Sequence, residues 1–196
     1  MYRAMALCAR RRGLALNDTE AICALLPEVD IRLEREGGDQ HTLLNGENVE
    51  AHIRTQEMSK AASDISAIPC VREAMVDLQR KAGYGGNGAI LEGRDIGTVV
   101  FPHSPCKVFL VADALTRAER RKLQLQEKGI DGDVETIRRE IEERDRNDAQ
   151  REHSPLRKAP DAIEVETTNT TIDEQVSMIL SLVRKRLDQF RKGIVE

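Results

Sequence analysis

Three short apolar runs between residues 88 and 113 constrain the fold more than any other feature of the chain. They cover residues 89–91, 98–101 and 107–112, and Gly and Pro residues bound them. Continuous runs of aliphatic and β-branched residues of this length predict strands that are buried on both faces of a parallel sheet. The chain is therefore predicted to have an α/β fold.

A polar segment, Gly93-Arg94-Asp95-Ile96-Gly97, follows the first run. In open α/β sheets, ligands bind at the carboxyl ends of the strands, where this segment is predicted to lie. The two glycines allow the backbone to bend around a guanidinium and a carboxylate. The pattern indicates a ligand-binding loop, and the alternative is a surface turn with a local ion pair.

Composition excludes several classes of function. The 196 residues suffice for one compact domain with a small insertion. Aromatic residues make up only 3%, Trp is absent and the net charge is −4, which argues against nucleic-acid binding. No apolar run approaches the length of a membrane span, and the amino terminus resembles no signal peptide. Four scattered cysteines without a CxxC pair predict reduced thiols in a cytoplasmic protein, and the histidines form no metal-binding pattern.

The rest of the chain alternates helical and strand patterns. A strand pattern at residues 29–34 and another at 41–44, joined to an Asn45-Gly46 turn, predict a small antiparallel sheet. A glycine-rich segment, residues 83–88, is predicted to be a link, because no helix follows it as a dinucleotide-binding loop requires. A capping box at Thr171 begins the last helix, whose apolar residues form one stripe. The predicted helices cover residues 1–12, the region after 17, 53–82 with a break near Pro69, 116–128, 134–150 and the region from 171, and a further strand covers 162–165.

Arginines concentrate in three of these segments. Arg144, Asp148 and Arg151 have the spacing i, i+4, i+7, which places them on one helix face. Two guanidiniums and a carboxylate on one face can hold a phosphate and a sugar hydroxyl. Taken alone, the pattern also fits a solvated helix face with ordinary ion pairs. Together with Arg94 and a basic helix that carries Arg117, Arg120 and Arg121, it indicates phosphoryl transfer, which requires neutralisation of spread negative charge.

At these residues the sequence resembles the bacterial cytidylate kinases, a branch of the nucleoside monophosphate kinases. The resemblance runs along the chain through YRAMAL, LLNGENVEAHIRTQEMSKAAS, IPCVREAM, LEGRDIGTVVFP, LTRAERRKLQLQEKG, ERDRNDAQREHSPL and DAIEVETTNTTIDEQV. It implies a P-loop NTPase-like parallel sheet flanked by helices, with a small antiparallel-sheet-plus-helix insertion. It also implies transfer of a phosphoryl group from ATP, with Mg²⁺, to CMP or dCMP in a cytoplasmic, monomeric enzyme.

The resemblance assigns roles residue by residue. The catalytic residues would be Arg94, Arg144 and Arg151. The CMP-binding set would be Arg3, Ser63, Arg72, Arg94, Asp95, Arg144, Asp148 and Arg151, with Ser63, Arg72 and Asp95 at the cytosine, Arg144 and Asp148 at the ribose, and Arg3, Arg94 and Arg151 at the phosphate. Arg117, Arg120 and Arg121 would begin a lid over ATP. The implied organisation is one domain over residues 1–196, a CMP-binding insertion at 28–83 and a lid at 117–133.

One departure from the family pattern is expected to affect activity. No GxxxxGK[ST] phosphate loop occurs in the sequence, and Tyr2-Arg3-Ala4 matches what normally follows that unit. We therefore expect the first strand and the phosphate loop, about thirty residues or more, to be missing. The chain is expected to bind ATP poorly and to turn over little. The alternative is a non-catalytic relative that binds a pyrimidine monophosphate or a protein partner.

Overall fold

The computed structural model describes residues 1–85, 88–127 and 129–192. These residues form two compact units, Met1–Glu92 and Gly93–Glu196, and each unit is described by itself. The predicted link at residues 83–88 lies partly outside the described residues, because it includes positions 86 and 87. The prediction of one domain over residues 1–196 stays a prediction.

The first unit combines helices with a small antiparallel sheet. Its elements are α1 (Tyr2–Arg11), α2 (Thr19–Leu25), β1 (Ile31–Glu36), β2 (Asp39–Leu44), β3 (Glu47–Asn48), α3 (Glu50–Ile53), α4 (Gln56–Ile65) and α5 (Pro69–Tyr84), with a 3₁₀ turn at Leu26–Glu28. Local chemistry sets the helix starts: Asp18 accepts a hydrogen bond from the Ala21 amide at 3.1 Å, and Thr55 accepts one from the Met58 amide at 3.1 Å. Pro69 stands in the first turn of α5, where its missing N–H costs nothing.

The predicted antiparallel sheet is confirmed. Strand β2 pairs with β1 from Ile31↔Leu44 to Glu36↔Asp39, and β3 pairs with the end of β2. Asn45 and Gly46 both have positive φ, 49° and 83°. This is the backbone that a two-residue hairpin turn requires, and Asn and Gly adopt it at least cost.

A shared apolar core holds the first unit together. The side chains of Met5, Ile22, Ile65 and Met75 are fully or almost fully buried, and they come from four different helices. Apolar residues of the predicted insertion, 28–83, pack in this core with α1. The role of the insertion in binding CMP stays a prediction.

The prediction of reduced thiols is wrong for two of the four cysteines. Cys23 of α2 and Cys70 of α5 form a disulfide across 47 positions of sequence, with their Cα atoms 5.9 Å apart. Cys8 and Cys106 are free. The sequence pattern could not show the bond, because only packing in the core brings the first turn of α5 beside α2.

The second unit contains a parallel pair of strands and three long helices. Its elements are a π-helix (Ile96–Val100), β4 (Val108–Val111), α6 (Ala114–Gln126), α7 (Val134–Gln150), β5 (Ile163–Glu166) and α8 (Ile172–Arg191). Strands β4 and β5 pair in parallel register from Val108↔Ile163 to Val111↔Glu166. The predicted α/β class with a parallel sheet is therefore confirmed.

Two of the three runs predicted as strands have other conformations. Residues 89–91 have no regular secondary structure and no strand partner among the described residues, and Ile90 is fully exposed. Residues 98–101 belong to the π-helix and its end. There the Asp95 carbonyl accepts from the amides of Thr98, Val99 and Val100, so local hydrogen bonds replace a sheet ladder.

The expectation that the strands are buried on both faces is also wrong. Leu110 in the centre of β4 is 53% exposed, and of the eight residues in β4 and β5 only Val165 is buried. In the described part of the chain this sheet has two strands, and each of them is an edge strand. The faces of the sheet are only partly covered, unlike those of a larger parallel sheet between two layers of helices.

Helices α6 and α7 form an antiparallel hairpin around Ala118, Leu125 and Ile137. Asp113 and Asp133 cap the two helices by accepting hydrogen bonds from the Thr116 and Thr136 amides. The predicted lid, residues 117–133, covers most of α6 and the turn after it. The predicted end of α6, Lys128, lies outside the described residues.

The capping box of α8 is confirmed, because Thr171 and Glu174 exchange side-chain and backbone hydrogen bonds. Its apolar stripe is largely solvent-exposed: Ile172 is 77% and Phe190 53% exposed. Across residues 1–85, 88–127 and 129–192, no helix combines the length and the apolar character needed to cross a membrane.

Candidate functional site

The second unit brings together the arginines of two predicted segments. Arg94 lies in the bend before the π-helix, and its Nε is 3.2 Å from Asp148 Oδ2 on α7. The Nε of Arg144 is 3.8 Å from the same oxygen, and Arg151 donates a hydrogen bond to the other oxygen, Oδ1. The structure therefore brings Arg144, Asp148 and Arg151 together, and Arg94 joins them. Arg144 and Asp148 share a face of α7, whereas Arg151 directly follows the last residue of that helix.

Asp148 lies at the centre of this cluster. Its side chain is 1% exposed, and that of Arg151 is 11% exposed. A buried carboxylate is tolerated only when cations and hydrogen bonds compensate its charge, and the surrounding guanidiniums do so here. The alternative of a solvated helix face is therefore wrong at this position.

Asp145 is a member of the cluster that the spacing argument missed. It accepts a hydrogen bond from Arg94 Nη1 at 2.5 Å through Oδ1, and one from Arg117 Nη1 through Oδ2. Burial by itself would raise the pKa of this carboxyl, but the hydrogen bond from Arg117 and the charge of Arg94 outweigh it, so the pKa lies below its ordinary value. Its i, i+3 spacing to Asp148 was the available signal, since it places both carboxylates on neighbouring parts of one helix surface.

The cluster carries an excess of positive charge. Four guanidiniums, those of Arg94, Arg117, Arg144 and Arg151, surround two carboxylates. Burial, followed by the charge of Arg94, lowers the pKa of Arg144. The Nε–H of Arg144 is buried and has no hydrogen-bond acceptor within the described chain. An anion with several oxygens would satisfy both this donor and the excess charge.

The two glycines of the polar segment, Gly93 and Gly97, stand where a larger side chain would contact its neighbours closely. A Cβ on Gly93 would lie 2.9 Å from Cγ1 of Ile96, and one on Gly97 would lie 3.3 Å from Cδ of Lys107. The run predicted as a strand before the segment, residues 89–91, is not a strand, and Arg94 lies in the bend that leads into the π-helix. Asp95, which precedes the π-helix, is 5% exposed.

The three predicted lid arginines have different surroundings. Arg117 bonds to Asp145, as described above. Arg120 donates to the Thr167 carbonyl at 2.5 Å and to the Thr170 carbonyl at 3.3 Å, which ties α6 to the loop after β5. Arg121 contacts Gln124 on its own helix at 3.4 Å.

Three predicted site residues belong to the first unit: Arg3, Ser63 and Arg72. The two arginines donate hydrogen bonds to backbone carbonyls, and the Ser63 carbonyl accepts one from a neighbouring hydroxyl. Arg3 of α1 donates to the Ile53 carbonyl at 2.8 Å. Arg72 of α5 is buried, donates to the Ser66 carbonyl at 2.9 Å, and has its Cζ 5.7 Å from the centroid of the Tyr2 ring. The Ser66 hydroxyl donates to the Ser63 carbonyl at 2.8 Å, so Ser66 links the two residues predicted to recognise the base. Sequence reasoning did not identify Ser66.

The acidic residues of the cluster are paired with arginines and are not arranged as metal ligands. Over the described ranges, no three His, Cys, Asp or Glu side chains are grouped so that they could hold one. Asp145 and Asp148 are instead neutralised by arginines.

A parallel strand pair beside an arginine cluster with excess positive charge is typical of α/β proteins that bind phosphorylated ligands. Comparison with known proteins defines this class further. The family model for cytidylate kinase matches residues 1–185. The chain belongs to the cytidylate kinase family, whose members are nucleoside monophosphate kinases.

Individual relatives agree with this assignment. The cytidylate kinase of Syntrophotalea carbinolica is 47% identical over 186 residues, which cover 95% of this chain and 79% of that protein. That of Lactobacillus johnsonii is 45% identical over 95% of this chain and 80% of its own length. That of Geobacter sp. strain M21 is 43% identical over 98% of this chain and 82% of its own length.

Proposed function

We propose that this chain binds CMP or dCMP and takes part in the reaction of ATP and (d)CMP to ADP and (d)CDP. An oxygen of the monophosphate attacks the γ-phosphorus of ATP, the bond from that phosphorus to the bridging oxygen breaks, and ADP leaves. Mg²⁺ enters bound to ATP. The protein has little covalent work in such a transfer and acts by positioning and by neutralising charge.

The observation that carries the proposal is the arginine cluster of the second unit. Its four guanidiniums exceed its two carboxylates by two positive charges. A phosphate monoester has a charge of about −1.5 to −2 at neutral pH, which this excess matches. We assign the phosphate to Arg94, Arg144 and Arg151, with Arg3 of the first unit as a further contact.

Base recognition is assigned to Ser63, Arg72 and Asp95. A hydroxyl, a guanidinium and a carboxylate can together pair with N3, O2 and the exocyclic amine of cytosine. Arg72 and Asp95 are both buried. A base with the wrong donors and acceptors would not pair with this set, which is the basis for discrimination.

The ribose is assigned to Arg144 and Asp148. With its side chain 1% exposed and bound to Arg151, Asp148 must be uncovered before a ribose hydroxyl can donate to it. We therefore propose that binding of the phosphate draws Arg151 away from Asp148 Oδ1. Arg117, Arg120 and Arg121 are assigned to a lid over ATP.

We further propose that the 196-residue chain by itself transfers phosphate slowly, because its sequence contains no GxxxxGK[ST] loop to cradle the ATP phosphates. The second candidate function, binding of a pyrimidine monophosphate without catalysis, is favoured by the same observation together with the arginine cluster. A cytoplasmic location and a monomeric state also stay predictions, and the Cys23–Cys70 bond is uncommon in cytosolic proteins.

Calorimetric titration with CMP tests the binding proposal, with cytidine, UMP and AMP as comparison ligands. CMP should bind more tightly than each of the others. Arg94→Lys keeps the charge but loses the planar fork, so CMP affinity should fall about tenfold. Arg139→Lys, on the exposed surface of α7, is the matched control and should bind like the wild type. Equal affinity for CMP and AMP would exclude the proposed base recognition.

A coupled assay of ADP release separates the two candidate functions. We expect CMP binding with little ADP formed by the 196-residue chain. Turnover at the rate of ordinary kinases, about 1–100 per second, would contradict the proposed impairment and leave the kinase assignment in place.

A further inference from the structure

The arrangement around Asp145 suggests a role that differs from that of the ligand-binding residues. Its two carboxylate oxygens receive one hydrogen bond each, Oδ1 from Arg94 and Oδ2 from Arg117. Arg94 belongs to the bend before the π-helix, Arg117 to α6 and Asp145 to α7. A single carboxylate therefore ties three separate segments of the second unit.

We propose that Asp145 is a positioning residue, which holds the guanidiniums of Arg94 and Arg117 side by side for a phosphate-bearing ligand. The two guanidiniums carry like charges and would repel each other without a shared carboxylate. The side chain of Asp145 is 22% exposed, and those of Arg94 and Arg117 are 33% and 35% exposed, so water screens this repulsion only in part. Asp145 thereby links the helix assigned to the lid with the segment assigned to the phosphate.

Asp145 is proposed to act through the position of its carboxylate and not only through its charge. A carboxylate that only reduced positive charge would weaken phosphate binding, and its removal would strengthen binding. A carboxylate that positions two arginines has the opposite effect, because displaced guanidiniums no longer match the phosphate oxygens. The sign of the change in affinity therefore separates the two roles.

This inference rests on the proposed function, since it concerns how the assigned arginines meet a phosphate. The test measures the affinity of the full chain for CMP, cytidine and inorganic pyrophosphate by calorimetry. Asp145→Asn should bind CMP and pyrophosphate about tenfold more weakly, the loss of roughly one charge-assisted hydrogen bond, with unchanged affinity for cytidine. Asp145→Glu keeps the charge and shifts its position by one methylene, and it should also lose affinity for both anions.

Glu143→Gln is the control, because it removes one negative charge from an exposed position of the same helix. It should bind all three ligands like the wild type. Circular dichroism shows whether each variant is folded. If Asp145→Asn does not fold, the charge-conserving Asp145→Glu still decides the matter.

Several outcomes would overturn the inference. Equal or tighter binding of CMP by Asp145→Asn would mean that the carboxylate only reduces charge. Wild-type affinity in Asp145→Glu would mean that its position is unimportant. An equal loss for cytidine would indicate a general structural role.

Failure of the proposed function has a separate signature. A wild-type chain that binds pyrophosphate but not CMP, with the predicted loss in Asp145→Asn, would reject the CMP assignment and support the role of Asp145. A wild-type chain that binds neither anion would reject both.

Discussion

Replacement of Asp148 by Asn should destabilise the second unit more than other changes of a single charge. Asn has nearly the same volume as Asp, so no cavity forms and the effect is electrostatic. The change removes the carboxylate that accepts a hydrogen bond from Arg151, whose side chain is 11% exposed. Removal of one partner from a buried ion pair costs about 3–5 kcal/mol.

The lower end of that range is expected here. The other two arginines at Asp148, Arg94 and Arg144, are 33% and 35% exposed and can turn toward water. We therefore expect a loss of about 3 kcal/mol, set against a free energy of unfolding of about 5–15 kcal/mol for a typical domain.

Urea titration followed by far-ultraviolet circular dichroism measures this loss. With a slope of about 1.5 kcal/mol per molar urea, the midpoint of the second unit should fall by about 2 M. In an Arg151→Met background the same change should cost less, because the most buried guanidinium is already absent. The exposed Glu143→Gln serves as control. A midpoint shift no larger than that of the control would refute the view that Asp148 neutralises a buried charge.

Three further predictions concern other parts of the chain. Replacement of Cys23 and Cys70 by Ser should destabilise the first unit by about 4 kcal/mol, the loop-closure value for 47 residues, and a reducing agent should then have no further effect on its urea midpoint. The pKa of Asp145 lies below its ordinary value, so its contribution to stability is complete above pH of about 4 and is lost as the pH falls through the lowered pKa. The thermal midpoint should therefore fall less with decreasing pH in Asp145→Asn than in the wild type. Gly93→Ala should weaken CMP binding because its Cβ would displace Ile96, whereas an unchanged affinity would show that the segment adapts.

The sequence by itself determined the elements whose signals are local. The Asn45-Gly46 turn, the cap at Asp18, the break at Pro69 and the capping box at Thr171 all depend on residues a few positions apart. Such contacts need no partner from a remote part of the chain. The shared face of Arg144 and Asp148 was predictable for the same reason, because helix spacing alone creates it, whereas Arg151 follows the last residue of α7.

Only the tertiary structure decided which side chains that are far apart in the sequence contact each other. Asp145 gains its role from Arg94 and Arg117, which are 51 and 28 positions away, and Cys23 meets Cys70 across 47 positions. Apolar runs such as residues 98–101 become strands only where a neighbouring strand offers hydrogen bonds, and here the Asp95 carbonyl takes that place. Burial and distance between remote segments follow from packing, and no local pattern records them.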